Sequence, residues 1–181
     1  MKIILIPDRI DEKPEIEENI FGEGFKIITG NAKKVNDIEI NVWQNAEAIL
    51  AWHDLVYDQL LINQLTKCKV IVRVGVGFDN VDLDAAKKAK IIVSNVPDYG
   101  TEDVANHAIS LMLGLNRQLS NYHDSVFQSK KWDWNLGIGL RRLNDLTLGV
   151  IGCGRIGTAL IQRARVFGMK IIFYDPYIPR G

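Results

Sequence analysis

The chain has 181 residues, 47% of them hydrophobic, and its 22 acidic residues balance its 22 basic ones. Such a composition is typical of a globular protein with one large domain or two small ones. The zero net charge argues against a nucleic-acid partner, because proteins that bind nucleic acids generally carry a basic surplus. The short segment 130–134 mixes lysines with two tryptophans, and we interpret it as a solvated arm whose tryptophan rings are buried.

The sequence predicts neither a membrane segment nor a metal site. No apolar run approaches the length of a membrane span, and the N-terminus lacks the layout of a signal peptide. The two cysteines, Cys68 and Cys153, have no ligand-like spacing with histidines. Reduced thiols of this kind indicate a cytoplasmic protein.

The first hundred residues alternate apolar strand patterns with helical patterns. Strands are predicted at 2–6, 25–29, 48–52, 69–74 and 91–93, and helices at 11–24, 58–65 and 83–90. Strands that alternate with helices predict a parallel sheet and an α/β domain. Residues 30–45 carry no clear pattern.

A long helix is predicted from Thr101 to about Gln118, with Thr101 as its N-cap residue. Acidic residues in its first turn favour this start, because they suit the positive end of the helix dipole. Its predicted core-facing residues keep helical spacing and are Val104, Ala108, Leu111, Met112 and Leu115. The boundary between two α/β units is therefore expected near residues 97–100, and a further helix followed by an irregular arm is expected over 121–143.

The next segment has the order strand, glycine turn, helix, strand and acid, which a dinucleotide-binding unit requires. Its parts are, in turn, strand 146–151, Gly152, Gly154, Gly157, helix 159–167, strand 170–174 and Asp175. The three glycines have separate roles in such a unit. The first permits a tight turn, the second a close approach of a pyrophosphate, and the third close packing of helix and strand.

The start of the helix and the final acid complete the predicted site. The amides near Arg155 and Ile156 open the helix and would direct N–H donors and the positive dipole end at the phosphates. Asp175 would accept hydrogen bonds from the ribose hydroxyls of the adenosine. Because its charge would repel a 2′-phosphate, NAD is favoured over NADP.

A second glycine pair, Gly75 and Gly77, also follows a predicted strand. No third glycine comes at the required spacing and no ribose-binding acid follows, so it is a poor dinucleotide loop. Two interpretations stay open on the residues alone. The loop offers free amides to a small anion such as a substrate carboxylate, or it is a plain strand-to-helix turn.

Four stretches in chain order carry a family resemblance, namely 73–82, 95–108, 152–157 and 174–177. Together they resemble the D-isomer-specific 2-hydroxyacid dehydrogenases, with the phosphoglycerate dehydrogenase and C-terminal-binding-protein branch as the nearest. The resemblance implies an incomplete flavodoxin-like substrate domain over residues 1–98. The first half of a Rossmann-type NAD-binding domain would follow over residues 99–181.

The resemblance also implies ligands and site residues. The amides of Val76 and Gly77 correspond to the loop that binds the substrate carboxylate, and His53 resembles a cleft histidine of the C-terminal-binding-protein branch. The implied cofactor contacts are Val104 on the nicotinamide side, and Gly152, Gly154, Arg155, Ile156, Gly157 and Asp175. The implied ligands are NAD and a small 2-hydroxy or 2-keto acid. The segment 122–139 resembles a dimerisation arm, which implies a homodimer.

Two departures from the family pattern matter. Asn106 replaces the usual acid, so the long helix is expected to lose a hydrogen bond or charge pair. The chain ends at Gly181, before the positions of the family's catalytic arginine, acid and histidine, so no catalytic residue is assigned in it. Among the residues present, His107 is expected to pack or cap locally, His123 to be exposed and Arg73 to be structural.

The leading hypothesis is therefore an NAD-dependent oxidoreductase that acts on the CH–OH group of a D-2-hydroxy acid, with this chain alone inactive. One alternative is a corepressor-like protein that senses NAD(H) without turnover, and another is a truncated inactive product. A doubly wound nucleotide domain normally has about six strands. The two strands predicted here would leave an exposed sheet edge, so we expect either that the chain is a fragment or that another chain covers the edge.

Overall fold

The structure is a computed structural model that describes residues 1–9 and 13–178. It contains two compact units, Met1–Tyr99 and Gly100–Gly181. Each unit combines helices with a parallel sheet, so the α/β class predicted from the alternation of strands and helices is confirmed. Residues 11 and 12, the start of the first predicted helix, lie outside the described residues.

The first unit is built on a five-stranded parallel sheet with the order β2-β1-β3-β4-β5. Its strands are β1 Lys2–Ile6, β2 Phe25–Thr29, β3 Ala46–Ala51, β4 Val70–Arg73 and β5 Ile92–Asn95. All five predicted strands are present, with small shifts at their ends. This strand order is that of flavodoxin-like sheets, whose ligands bind at the carboxyl ends of β1 and β3, where the order reverses.

Four short helices lie among the described residues of this unit, α1 Glu15–Phe21, α2 Ile40–Asn45, α3 Gln59–Ile62 and α4 Leu83–Lys88. Two of them begin at aspartates that cap the first turn. A side-chain oxygen of Asp58 accepts from the amide of Leu61, and one of Asp82 accepts from the amide of Ala85, both at 2.9 Å. These caps satisfy amides that a helix start leaves without partners.

Helix α2 lies in the segment that shows no clear sequence pattern. Its Trp43 is 1% exposed, and the indole Nε1 donates to the carbonyl oxygen of Val35 at 3.2 Å. One buried ring therefore anchors these six residues. A single anchor produces no periodicity, which is why the sequence does not predict the helix.

The core of the first unit lies along the central strands and helices α3 and α4. Its buried members include Leu5, Ile49, Ile71, Leu61, Ile62, Ala85 and Ala86. Central strands of a parallel sheet are buried on both faces, so their sequences are continuous apolar runs rather than alternating apolar and polar residues. This burial holds the strand ends, and the loops that leave them, in fixed positions.

The second unit pairs two parallel strands and carries three α-helices among the described residues. The elements are α5 Thr101–Asn116, α6 Leu119–His123, β6 Thr147–Ile151, α7 Arg155–Val166 and β7 Lys170–Tyr174. Helix α5 packs against α7, and both helices bury small side chains. Strand β6, helix α7 and strand β7 form the predicted βαβ unit.

Of the core-facing residues predicted for α5, Ala108 and Met112 are half-buried, but Val104, Leu111 and Leu115 are wrong. The buried residues are Ala105 and Ile109, whereas Val104, Leu111 and Leu115 are 48%, 56% and 76% exposed. The apolar stripe of this helix is broad, and only one edge of it finds a partner within the unit. Periodicity shows that a stripe exists but does not indicate which part of it is covered.

The start of α5 and the arm after α6 also differ from the predictions. The residue before Thr101 takes the N-cap position, without a side-chain hydrogen bond, and Thr101 is already helical. Trp132 and Trp134 are 83% and 67% exposed, so the prediction of buried rings is wrong. The arm consists of short turns, a π-helical one at Asp124–Gln128 and a 3-10 one at Trp134–Gly137, which supply no layer to cover the rings.

Two kinds of feature are absent from the described residues, a membrane-spanning helix and a cluster of metal-ligand side chains. No helix within residues 1–9 and 13–178 has both the length and the apolar character needed to cross a membrane. Over the same ranges, no three or more His, Cys, Asp or Glu side chains are grouped so that they could hold a metal ion. Cys68 and Cys153 are free thiols.

Candidate functional site

The turn between β6 and α7 requires glycine at two positions. Gly152 has a φ of +89°, a left-handed conformation that side chains disfavour. A Cβ on Gly157 would lie 2.0 Å from the carbonyl oxygen of Gly152, so any side chain there would push the helix away from the turn. These are the geometries predicted for the tight turn and for the close packing of helix and strand.

Gly154 requires glycine for neither reason, because its φ is −68° and no atom lies within 4 Å of the position that its Cβ would take. It is the N-cap residue of α7 and no side chain caps that helix. In the described part of the chain, the amides of Arg155, Ile156 and Gly157 donate to no acceptor. Free amides at the positive end of a helix of 12 residues form an anion site, and the space beside Gly154 is open to a phosphate.

Asp175 lies just after β7, and its carboxylate is bonded to the glycine turn. One oxygen accepts from the amide of Cys153 at 2.7 Å and the other from the amide of Tyr177 at 2.8 Å. These hydrogen bonds, the one from Cys153 above all, hold the pKa of Asp175 below its usual value. Each oxygen keeps further acceptor capacity, so the same carboxylate can brace the turn and accept from a ribose hydroxyl.

The bracing of the turn by Asp175 is a function that the sequence analysis missed. The acid and the amide it accepts from are 22 positions apart, and no short-range pattern links them. The Cys153 thiol is a neighbour of the same carboxylate. Its pKa is raised, first by burial and then by the negative charge of Asp175.

Arg163 on α7 also escaped the sequence analysis, and it joins α7 to α5. Its Nε donates to Oδ1 of Asn106 at 2.6 Å, and its Nη2 pairs with the carboxylate of Glu102. The expectation that α5 loses a hydrogen bond at Asn106 is therefore wrong. The amide oxygen accepts as a carboxylate would, and Glu102 supplies the negative charge.

The other predicted residues of the second unit lie on its surface. Val104 is in the first turn of α5 and is 48% exposed. His107 is exposed rather than packed, contrary to expectation. His123 is exposed as predicted and stacks on Phe127 with ring centroids 4.7 Å apart.

In the first unit, the Gly75–Gly77 loop follows β4. The carbonyl oxygens of Gly75 and Val76 accept hydrogen bonds, whereas the amides of Val76 and Gly77 have no acceptor among the described residues. The carbonyl oxygen of Gly75 accepts from the amide of Val96 at 3.0 Å, and that of Val76 accepts from Nδ2 of Asn95 at 2.8 Å. Over residues 1–9 and 13–178, the amides of Val76 and Gly77 donate to no acceptor. This arrangement favours the anion-binding interpretation over a plain turn.

His53 follows β3 and is hydrogen-bonded to Arg73 at the end of the neighbouring strand. Nη2 of Arg73 lies 2.7 Å from Nδ1 of His53. Because a guanidinium can only donate, Nδ1 must accept, and the imidazole proton lies on Nε2. The guanidinium also lies beside the Gly75–Gly77 loop, since a Cβ on Gly75 would be 1.6 Å from Nη1 of Arg73. Arg73 thus orients His53 in addition to the structural role predicted for it.

Comparison with known proteins identifies the family. The model of the "D-isomer specific 2-hydroxyacid dehydrogenase, catalytic domain" matches residues 4–173. The chain belongs to this family. The resemblance drawn from the four sequence stretches is thereby confirmed.

Curated members of this family resemble the chain over most of its length. D-3-phosphoglycerate dehydrogenase of Methanocaldococcus jannaschii is 45% identical over 120 residues, which are 66% of this chain and 22% of that protein. C-terminal-binding protein 1 of Caenorhabditis elegans is 34% identical over 159 residues, which are 83% of this chain and 22% of that protein.

Solved structures of the 2-hydroxyacid dehydrogenases agree with the fold. D-lactate dehydrogenase of Aquifex aeolicus, complexed with NAD and lactic acid, superposes with a TM-score of 0.85 at 31% identity. The match covers 98% of this chain and 52% of that one, so the chain spans about half of the solved relative. The predicted fold class, a flavodoxin-like sheet followed by the first part of a Rossmann-type unit, is confirmed. The individual site residues stay predictions.

Proposed function

We propose that this chain is the N-terminal part of an NAD-dependent oxidoreductase that acts on the CH–OH group of a D-2-hydroxy acid. The observation that carries the proposal is a pair of glycine loops with free amides, one in each unit, in a chain of the 2-hydroxyacid dehydrogenase family. The solved relative from Aquifex aeolicus, which holds NAD and lactic acid together, supports both ligands. We assign the substrate domain to residues 1–98 and the first half of the cofactor domain to residues 99–181.

The glycine turn of the second unit fits a dinucleotide. Gly152 and Gly157 give the turn its shape, and Gly154 leaves the space that a pyrophosphate needs. The amides of Arg155 and Ile156 would donate to its oxygens, at the positive end of the helix dipole.

Asp175 and Val104 would complete the cofactor contacts. The carboxylate would accept from the ribose hydroxyls, which a 2′-phosphate would prevent by charge repulsion, and this favours NAD over NADP. Val104, which is exposed in the first turn of α5, would line the nicotinamide side. When bound, NAD supplies the hydride acceptor or donor, and the protein supplies binding and orientation.

The substrate would be held by its carboxylate. The free amides of Val76 and Gly77 would donate to the carboxylate oxygens, and the Nε2–H of His53 would donate to a further substrate oxygen. None of these groups is placed to take the hydroxyl proton, because amides are not bases and Nδ1 of His53 already accepts from Arg73. We therefore place the catalytic arginine, acid and histidine of the family outside these 181 residues, and we expect this chain alone to be inactive.

We also propose a cytoplasmic homodimer. The arm exposes four large apolar side chains, with Phe127, Trp132, Trp134 and Ile138 between 62% and 83% exposed. A second copy of the chain would cover them, since monomers rarely leave such a patch open to water. Free thiols at both cysteines support a reducing compartment.

A corepressor-like protein that senses NAD(H) without turnover is the second candidate. The similarity to C-terminal-binding protein 1 over 83% of the chain favours it. The two candidates share the cofactor site and differ in whether a 2-keto acid is reduced. Dimerisation that depends on NADH, in a protein without turnover, is the expected behaviour of this second candidate.

The test is NADH oxidation by the intact gene product with a panel of 2-keto acids, made in the wild type and two glycine variants. Gly154→Val is expected to fold, because no atom of the chain lies within 4 Å of the position of its Cβ, and to lose NADH binding and turnover. Gly149→Ala, whose Cβ would be 4.0 Å from Ile172 in ordinary contact, is the matched control and should keep both. Turnover that survives in Gly154→Val would contradict the proposed cofactor site, and inactivity of the wild type on the whole panel would contradict the proposed reaction.

A further inference from the structure

Asp8, just beyond β1, is a buried acid that the proposed function does not use. Its side chain is 1% exposed and lies against residues 52–55, which we call the His53 turn. One carboxylate oxygen accepts from the amide of Trp52 at 3.0 Å. The other accepts from the amides of Asp54 at 3.0 Å and Leu55 at 3.4 Å. Three backbone donors of one turn thus converge on a single carboxylate.

Asn80 binds the same turn through the carbonyl oxygens of the turn's backbone. Its Nδ2 donates to the carbonyl oxygens of Trp52 at 3.3 Å and Leu55 at 3.0 Å. Asn80 follows the Gly75–Gly77 loop closely in sequence, so it also ties the two proposed substrate segments together. The backbone of the His53 turn is therefore fixed from both sides while the imidazole itself is exposed.

The position of Asp8 explains where an anionic ligand can bind in this unit. The carboxyl ends of β1 and β3 flank the point at which sheets of this strand order bind ligands. Here three amides of the His53 turn, which follows β3, already donate to an acceptor within the chain, the carboxylate of Asp8. One strand further along the sheet, the amides of Val76 and Gly77 donate to no acceptor among the described residues.

We propose that Asp8, together with Asn80, is a positioning residue that sets His53 against Arg73, so that the Nε2–H of His53 is presented to the substrate. This inference rests on the proposed function, because it assumes that His53 contacts the substrate. Asp8 does not touch the ligand itself. It acts through the backbone of the His53 turn, and a turn that shifts breaks the 2.7 Å contact between Nδ1 of His53 and Arg73. The imidazole then loses its fixed tautomer and with it the oriented donor.

A carboxylate is required at this position for a simple reason. It accepts at both oxygens, whereas an asparagine has one carbonyl oxygen and would turn its NH₂ group toward a backbone N–H. Asp8→Asn keeps the size of the side chain and removes at least one of its three hydrogen bonds. The matched control is Asp54→Asn, which removes a carboxylate from the same turn, where it pairs with Lys33 at the surface.

The experiment uses the full chain labelled with ¹⁵N and has two readouts. The ring-nitrogen shifts of His53 report its tautomer without any ligand, and a titration with pyruvate reports binding of a 2-keto acid at the Val76 and Gly77 amides. We expect the wild type and Asp54→Asn to hold the proton on Nε2. We expect Asp8→Asn to show a mixture of tautomers and pyruvate binding about tenfold weaker, as the loss of a hydrogen bond to a charged group allows. An Asp8→Asn protein with the wild-type tautomer and affinity would overturn the proposal.

A second variant keeps the test decisive if Asp8→Asn does not fold. Asn80→Ser retains the carboxylate and its three amides but removes both donors from the other side, and its expected loss of pyruvate affinity is about threefold. An unchanged His53 tautomer in a folded Asn80→Ser protein overturns the proposal. If the wild type fails to bind pyruvate while the tautomer still responds to Asp8→Asn, the positioning role stands and the proposed substrate contact fails.

Discussion

The two glycine loops of this chain share one feature, free backbone amides, and differ in the structure that surrounds them. Each loop follows a strand of a parallel sheet, and each leaves backbone amides without acceptors in the described residues. The loop of the second unit leads directly into a helix of 12 residues, α7, and an acid after the next strand braces it. The Gly75–Gly77 loop leads into an irregular segment instead, and α4 begins only at Leu83.

The difference lies in what surrounds the free amides. At Arg155, Ile156 and Gly157 the helix dipole adds its field to the three donors, which suits a doubly charged pyrophosphate. At Val76 and Gly77 no helix begins, so two donors suit one carboxylate. A glycine pattern thus predicts exposed amides, and we infer that the element after the loop determines which anion the amides fit.

The largest effect that separates the loops is expected from Gly157→Ala. The added Cβ would lie 2.0 Å from the carbonyl oxygen of Gly152, which is backbone and cannot move aside. We expect the second unit to lose about 3 kcal/mol of stability and the protein to lose NADH binding. Urea unfolding and NADH fluorescence measure the two effects.

Gly77→Ala is the corresponding change in the other loop. Its Cβ would lie 3.1 Å from a side-chain oxygen of the exposed Asp79, which can rotate away. We expect unchanged NADH binding and little change in stability. Equal losses in the two variants would show that the two loops do not differ as described.

The next effect concerns Asp175. Asp175→Ala removes the acceptor of the Cys153 and Tyr177 amides as well as the proposed acceptor of the ribose hydroxyls. We expect NADH to bind about tenfold more weakly, and the preference for NADH over NADPH to disappear with the charge. Parallel titrations with both nucleotides measure this, and a preference that persists in the variant would contradict the role of the acid.

The same carboxylate predicts a pH dependence. Its pKa is lowered in the folded state, chiefly by the Cys153 amide, so its contribution to stability is complete above the unfolded value of about 3.9. The contribution is lost as the pH falls through the lower folded-state pKa. We therefore expect Asp175→Asn to flatten part of the decline in urea midpoint below pH 4, while Asp54→Asn serves as the surface control.

A smaller effect is expected at the two thiols. Burial raises the pKa of Cys68 to about 11, and that side chain lies in the core of the first unit. Cys153 is half-buried in the glycine turn. Iodoacetamide should therefore modify Cys153 well before Cys68, and NADH should slow the reaction of Cys153 several-fold. Peptide mass spectrometry after timed labelling checks this, and protection of Cys68 alone would place the nucleotide elsewhere.

The smallest effect is expected from Asn106→Asp on α5. A carboxylate at this position would face the guanidinium of Arg163, which already contacts Asn106 at 2.6 Å. Because the pair is exposed, we expect a gain of about 0.5 kcal/mol, which 1 M salt should remove. Arg163→Met in the same background should abolish the gain, and a gain that survives this change would have another origin.

The sequence predicts the strands of both units because each strand is a short apolar run. It predicts the glycine turn because glycine has special backbone freedom. It fails where the outcome depends on the environment. The helix at Ile40–Asn45 is held by the single buried ring of Trp43, and the covered edge of α5 is decided by contacts with α7.

Site residues follow the same division. The amides of Val76 and Ile156 could be predicted, because they belong to local loops. The braces could not, since Asp8 lies 44 positions from the Trp52 amide and Arg163 lies 57 positions from Asn106. Long-range hydrogen bonds leave no periodic trace in a single sequence.

The proposed function requires that one loop binds the dinucleotide and the other the substrate carboxylate. The most direct measurement is the change in amide shifts of the ¹⁵N-labelled chain on separate addition of NADH and pyruvate. We expect NADH to shift the amide signals of Arg155, Ile156 and Gly157, and pyruvate to shift those of Val76 and Gly77. The reverse pattern, or shifts confined to residues outside both loops, would contradict the proposed function.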